Sequence, residues 1–241
     1  MRETEYDELP LNLLRMIDLS FSINYLETIT RTITIGCQSL NLNELSEIYK
    51  TYTNFGWTIP PAMPYFTKQK ATTLEESDSF MLQFCKSENM DCIFSDLQNC
   101  EKIDKNDLKE AINCYNHRYY KACALLIFSM IDGILIKLQP QENENRKTSS
   151  AFEAIKSKYE SNQKMEPKFF IALQANMTIE CVKNFYKYAN NFKLDDKCIY
   201  RNMISHGMLN RAVKETDCIK VFLLLYNILQ LLHYQKITEL N

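Results

Sequence analysis

Apolar positions along this chain of 241 residues recur three and four apart more often than they alternate, which sets them on single helical faces. Leu42, Leu45, Ile48, Tyr49 and Tyr52 form the first clear stripe, and Gly56 predicts its end, since glycine accepts the left-handed conformation that closes a helix. Residues 57–64 hold Pro60, Pro61 and Pro64 and should run extended, with Trp57 packed beside them or offered as a ligand platform. Thr73 and Glu76 make a capping box, which predicts a helix carrying Leu74, Phe80, Met81 and Phe84. Residues 33–35 fit a short strand.

The later pattern is stronger. Asp104 is a good N-cap for a helix with Leu108, Ala111, Ile112 and Tyr115 on one face. Residues 119–138 are apolar nearly all round, so this helix is expected at the centre of a bundle. A polar stretch with Pro140, residues 139–149, predicts a loop, and Ser150 with Glu153 makes a second capping box. Pro167 separates that helix from one over residues 168–191. Asp195 or Asp196 is expected to cap a short helix, and residues 216–237 form the last long one. The expected fold is all-α: a helical bundle over residues 101–241, preceded by a helical accessory region over residues 1–100.

Composition agrees with helices, because 4 Gly and 6 Pro are too few breakers for a β-sandwich. Net charge is −2, but residues 1–100 carry 7 Lys or Arg against 14 Asp or Glu, while residues 101–241 carry 21 against 16. The second half is thus the one to meet an anionic partner. Nine cysteines form no C-x-x-C pair and His117, His206 and His233 are scattered, so reduced thiols in a cytoplasmic protein are expected, with no metal site and no cofactor. The acidic start is opposite to a signal peptide. The most apolar runs, 122–136 and 221–232, are shorter than the roughly 20 residues of a spanning helix, and no membrane association is expected.

Three features carry chemistry. Asp132 is the one ionisable residue within 122–136, and a carboxylate in an apolar helix needs a cation, a donor or an outlet to water. Residues 183–214 hold seven Lys or Arg (Lys183, Lys187, Lys193, Lys197, Arg201, Arg211 and Lys214) against two Asp, interleaved with Phe185, Tyr186, Tyr188, Phe192 and Tyr200. That mixture suits phosphate contacts and base stacking, and it equally suits a solvated face over core aromatics. Lys193, Lys197, Tyr200, Arg211 and Lys214 are the candidate RNA contacts. The third feature is Arg201-Asn202-Met203-Ile204-Ser205-His206-Gly207. On a helix Asn202 and His206 stand one turn apart, and a guanidinium, an amide and an imidazole share one small region, a set suited to phosphoryl transfer.

The pattern Arg201-Asn202-x-x-x-His206-Gly207, preceded by a helix with Tyr119, Tyr120, Ala122 and an acid at Asp132, resembles the HEPN family over roughly residues 101–241. The resemblance implies a helical bundle that forms a homodimer with the two motifs facing each other in a cleft. It also implies metal-independent endoribonuclease activity of the kind found in toxin–antitoxin and antiphage defence systems. His206 would then act as general base or acid, Arg201 would stabilise charge on the phosphate, Asn202 would orient phosphate or His, and Asp132 would position Arg201. The products would be a 2′,3′-cyclic phosphate and a 5′-hydroxyl, and an antitoxin or defence-system partner is expected. Some HEPN toxins carry a modifiable Tyr two residues after the motif His; Met208 stands there in this chain. The competing expectation is a non-catalytic HEPN-type module that binds RNA, nucleotide or protein.

Overall fold

The computed structural model describes residues 42–60, 70–138, 166–187 and 198–238, and every regular element among them is a helix. In chain order these are α1 (Leu42–Asn54), α2 (Leu74–Phe84), α3 (Ser87–Asn99), α4 (Lys105–Asn116), α5 (Tyr120–Lys137), α6 (Glu166–Phe185), α7 (Arg201–Ser205) and α8 (Glu215–Thr238). The fold is all-α. Residues 33–35, the loop over 139–149 and the capping box at Ser150 and Glu153 lie outside the described residues.

The helix ends follow local chemistry. At α1, Gly56 takes φ +80°, its N–H donates to the Thr53 carbonyl at 2.9 Å, and the Trp57 N–H donates to Tyr52 at 3.1 Å, the two bonds of a Schellman motif. A Cβ at Gly56 would also sit 3.2 Å from both Cys198 Sγ and Phe185 Cζ, so the backbone angle selects glycine and the tight space adds to it. At α2, Thr73 Oγ1 accepts from the Glu76 N–H as the capping box predicts, but the Glu76 carboxylate reaches one residue further back, to the N–H and hydroxyl of Thr72. These bonds hold the Glu76 carboxyl below its usual range. Asp104 caps α4 by accepting from Asn106 and Asp107.

Two boundaries differ from expectation. Residues 87–99, which carry no strong capping sequence, form the separate helix α3; the Lys105 ammonium donates to the carbonyls of Gln98 and Cys100 at its C-terminal end. Helix α6 begins at Glu166 and takes Pro167 into its first turn, where the missing N–H costs nothing, and it ends at Phe185, six residues before the expected limit.

Packing orders these helices around α8, whose side chains from Asp217 to Leu232 are all buried. Helix α5 lies along α8 with α4 and α7 against it, α6 packs on α8 and α1, and α3 bridges α4 and α8. The helix surrounded on all sides is therefore α8; α5 keeps one face open. Lys121, Ala122, Ser129, Ile136 and Lys137 are exposed there, and Leu125, Leu126 and Gly133 are half-buried. One core runs from Ile48 to Leu232, so Tyr52, Trp57, Met81 and Leu97 share it with the second half. Burying each such side chain contributes on the order of 1.5–3 kcal/mol. Trp57 is a packed residue: its indole N–H donates to Asp78 at 2.8 Å, and the buried Lys220 ammonium pairs with the same carboxylate at 2.8 Å while standing 4.9 Å from the ring centroid. Among the described residues no helix is long and apolar enough to cross a membrane.

Candidate functional site

The motif folds as a very short helix between two fixed points. Ile199 and Tyr200 are buried, Tyr200 is extended, and α7 starts at Arg201 with Tyr200 as an N-cap that makes no side-chain cap. The expected capping residues Asp195 and Asp196 lie outside the described residues. Met203 and Ile204 are buried and anchor the turn. His206 is the C-cap, its N–H donating to the Asn202 carbonyl at 3.1 Å, so the one-turn relation between these residues is kept. Gly207 follows at φ +69°, donating to Ile204 at 3.3 Å, and the Met208 N–H closes the Schellman motif on Met203 at 2.8 Å. An added Cβ at Gly207 meets nothing within 4 Å, so the backbone angle alone selects this glycine.

With its inner face anchored, α7 turns its polar residues outward and toward α5. The Arg201 guanidinium donates from Nε at 3.0 Å and from Nη2 at 2.7 Å, both to Oδ2 of Asp132, and from Nη1 to Asn202 Oδ1 at 3.3 Å. Three of the five guanidinium donors are used, and two have no partner among the described residues. The Arg201 side chain is 35% exposed and that of Asp132 is 15% exposed, so the pair is rooted in the core and open at its tip. His206 and Ser205 are exposed beside it. The structure thus brings together Arg201, Asn202 and Asp132, with His206 one turn on.

Behind this group stands Tyr186, at the end of α6. Its ring packs edge-on against Phe128 at 6.0 Å, and its N–H donates to the Val182 carbonyl at 2.9 Å. Burial and, next, the Asp132 carboxylate beside it push the phenol well above its usual range, so it stays a proton donor. Sequence reasoning counted Tyr186 among the stacking aromatics. Its place beside Asp132 depends on how α6 meets α5, and no local pattern carries that.

The other candidate RNA contacts divide. Lys214 is exposed. Tyr200 is buried with Met203 and packs against Cys198 and Leu209, so its ring offers no stacking face. Arg211 forks onto both oxygens of Asp217, at 2.6 and 2.9 Å, and this pair is mostly buried. Aromatic character and positive charge at these two positions serve packing and an internal ion pair. Lys193 and Lys197 lie outside the described residues. Phe185 is likewise core, packed on Phe128.

Among the described residues no three His, Cys, Asp or Glu side chains converge as metal ligands, and the eight described cysteines are free thiols. Burial pushes the nearby Cys198 thiol up to about 12, which leaves it a poor nucleophile. At α7 itself a guanidinium, an amide and an imidazole stand together. Compared with protein-family models, with curated proteins and with solved structures, the chain matches none, so the geometry of Arg201, Asn202, His206 and Asp132 is what a functional reading has to rest on.

Proposed function

We propose that this chain is a metal-independent, HEPN-type endoribonuclease that works as a homodimer without a cofactor. The observation that carries the reading is the Arg201–Asp132 pair: Asp132 fixes the guanidinium from the core side, donors remain over, and an exposed imidazole stands one turn away. In the reaction one imidazole takes the proton of a ribose 2′-hydroxyl as that oxygen attacks the adjacent phosphorus. The bond to the 5′-oxygen breaks, and that oxygen receives a proton from a second imidazole. Arg201 holds the charge that grows on the non-bridging oxygens, and Asn202 orients the phosphate. The products are a 2′,3′-cyclic phosphate and a 5′-hydroxyl.

One His206 cannot be base and acid in the same step, and a two-fold axis supplies the partner subunit's His206. The open face of α5 supports this. Ala122, Leu125, Ser129, Gly133 and Ile136 follow one another at three- and four-residue spacing on it, small or apolar, between Lys121 and Lys137 at its two ends and on the same helix as Asp132; a Cβ added at Gly133 meets open space. Its place in defence or growth arrest, with an antitoxin or defence partner, belongs to the same proposal.

Single-stranded RNA incubated with wild type, Arg201→Ala and His206→Ala tests it. Each variant is expected to cleave about 10²–10⁴ times more slowly at an unchanged melting temperature and an unchanged dimer mass. Equal cleavage by all three would eliminate the assignment. The burial of Tyr200 and the pairing of Arg211 favour one second reading, a non-catalytic HEPN-type module for RNA, nucleotide or protein. It predicts binding that weakens with salt and yields no cleavage product.

A further inference from the structure

The two oxygens of Asp132 are used unequally. Oδ2 accepts both guanidinium N–H groups of Arg201, whereas Oδ1 is buried and has no hydrogen-bond partner within 3.5 Å among the described residues. Arg–carboxylate pairs frequently set one N–H on each oxygen, as Arg211 does with Asp217. The Asp132 carboxylate is thus turned away from that two-oxygen arrangement. The group beside it is the buried Tyr186 phenol, whose ring is fixed by Phe128 and whose backbone is fixed by Val182. The charged groups that act on that phenol are Asp132 and Arg201.

We infer that Tyr186 is a positioning residue for Arg201: its hydroxyl engages Oδ1 of Asp132, turns Oδ2 toward the guanidinium, and so keeps the two remaining Arg201 donors aimed at the open side of α7. The inference deepens the ribonuclease reading and takes its kinetic readout from it; its spectroscopic readout is independent. A buried carboxylate oxygen left without a donor costs about 1–3 kcal/mol or more, which gives the contact its physical reason. Tyr186 does not touch substrate in this arrangement; it acts through Asp132.

Tyr186→Phe keeps the ring and removes the hydroxyl. In the variant the Arg201 Nε–H resonance is expected to shift or broaden, and kcat for RNA cleavage to fall about tenfold with KM unchanged, as befits an interaction that serves the transition state. Coincidence of both the resonance and kcat with wild type would overturn the inference. A wild type that cuts no RNA, with an Nε–H resonance that still moves in Tyr186→Phe, would sink the ribonuclease reading and leave the positioning role standing. If Tyr186→Phe does not fold, 3-fluorotyrosine at position 186 keeps both ring and hydroxyl. Its fluorine resonance should then move on Asp132→Asn, and an unmoved resonance would overturn the contact.

Discussion

Ten residues apart, Arg201 and Arg211 each pair with an aspartate, and the two pairs are built for different ends. Arg211 meets Asp217 six residues on, sets one N–H on each oxygen, and shares Asp217 with the Lys214 N–H at the start of α8. Its side chain is 18% exposed and the aspartate 6%, so the pair is a closed bracket that fixes the loop onto the helix. Arg201 reaches across 69 residues to Asp132, loads one oxygen twice, and keeps 35% of its surface open. The same two residue types give a structural clamp in one place and a held but available guanidinium in the other. What separates them is which carboxylate oxygens are loaded and how much surface the pairing leaves exposed.

Removing each arginine in turn should give opposite results. Arg201→Ala takes away the open guanidinium and is expected to abolish cleavage while the protein stays folded. Arg211→Ala leaves the buried Asp217 carboxylate with the Lys214 N–H as its support and should lower the free energy of unfolding by about 2–4 kcal/mol, read by denaturant titration, with residual cleavage per folded molecule unchanged. Reversed outcomes would mean that exposure misidentifies the working arginine.

A third carboxylate sharpens the same point without an arginine. Asp96 on α3 accepts from the Tyr226 hydroxyl at 3.1 Å, and burial pushes its carboxyl up to about 6 against that bond. The folded state therefore holds the proton more tightly than the unfolded chain does. The contribution of Asp96 is fully present below about pH 4 and is lost as pH rises through about 6. Asp96→Asn removes the cost of ionisation, so the variant should be more stable than wild type by about 1–3 kcal/mol at pH 8, a gain that shrinks toward zero as pH falls to about 4. A gain that stays the same at pH 4 and pH 8 would show that Asp96 does not titrate in this range.

The smallest effect concerns the turn into α5. Arg118 sits at φ +62°, where the Schellman bonds that close α4 place it, from Arg118 N–H to Tyr115 and from Tyr119 N–H to Cys114. Arg118→Gly should stabilise the fold by about 1 kcal/mol, seen as a rise in melting temperature, because glycine adopts that conformation without the clash of a Cβ. A fall would mean that the arginine side chain contributes more than its backbone costs.

Much of this architecture was legible in the sequence, and the limits have physical causes. The spacing of Leu42 to Tyr52 with Gly56 after it specified both the helix and its Schellman end, because both are local. Asp104, likewise local, caps as its type predicts. Asp132 announced its need of a partner through the apolar helix around it, and the partner is Arg201. The side chains around residue 200 were not legible in the same way. Basic and aromatic residues in a row are consistent with a nucleic-acid surface and with core plus ion pairs, and only packing separates Tyr200, which is buried, from Lys214, which is exposed. Helix α3 was missed because nothing at residues 85–87 interrupts a helical pattern. The open face of α5 was missed because an apolar pattern all round cannot say which side its own chain covers.

In the proposed reaction the guanidinium left open by Asp132 and the imidazole beside it cut RNA through the ribose 2′-hydroxyl. Its most direct measurement is end-group analysis of the fragments produced from a defined single-stranded RNA by the purified protein. The account predicts 2′,3′-cyclic phosphate and 5′-hydroxyl ends, absent with His206→Ala. Fragments bearing 3′-hydroxyl and 5′-phosphate ends, or an RNA that is bound and stays whole, would contradict it.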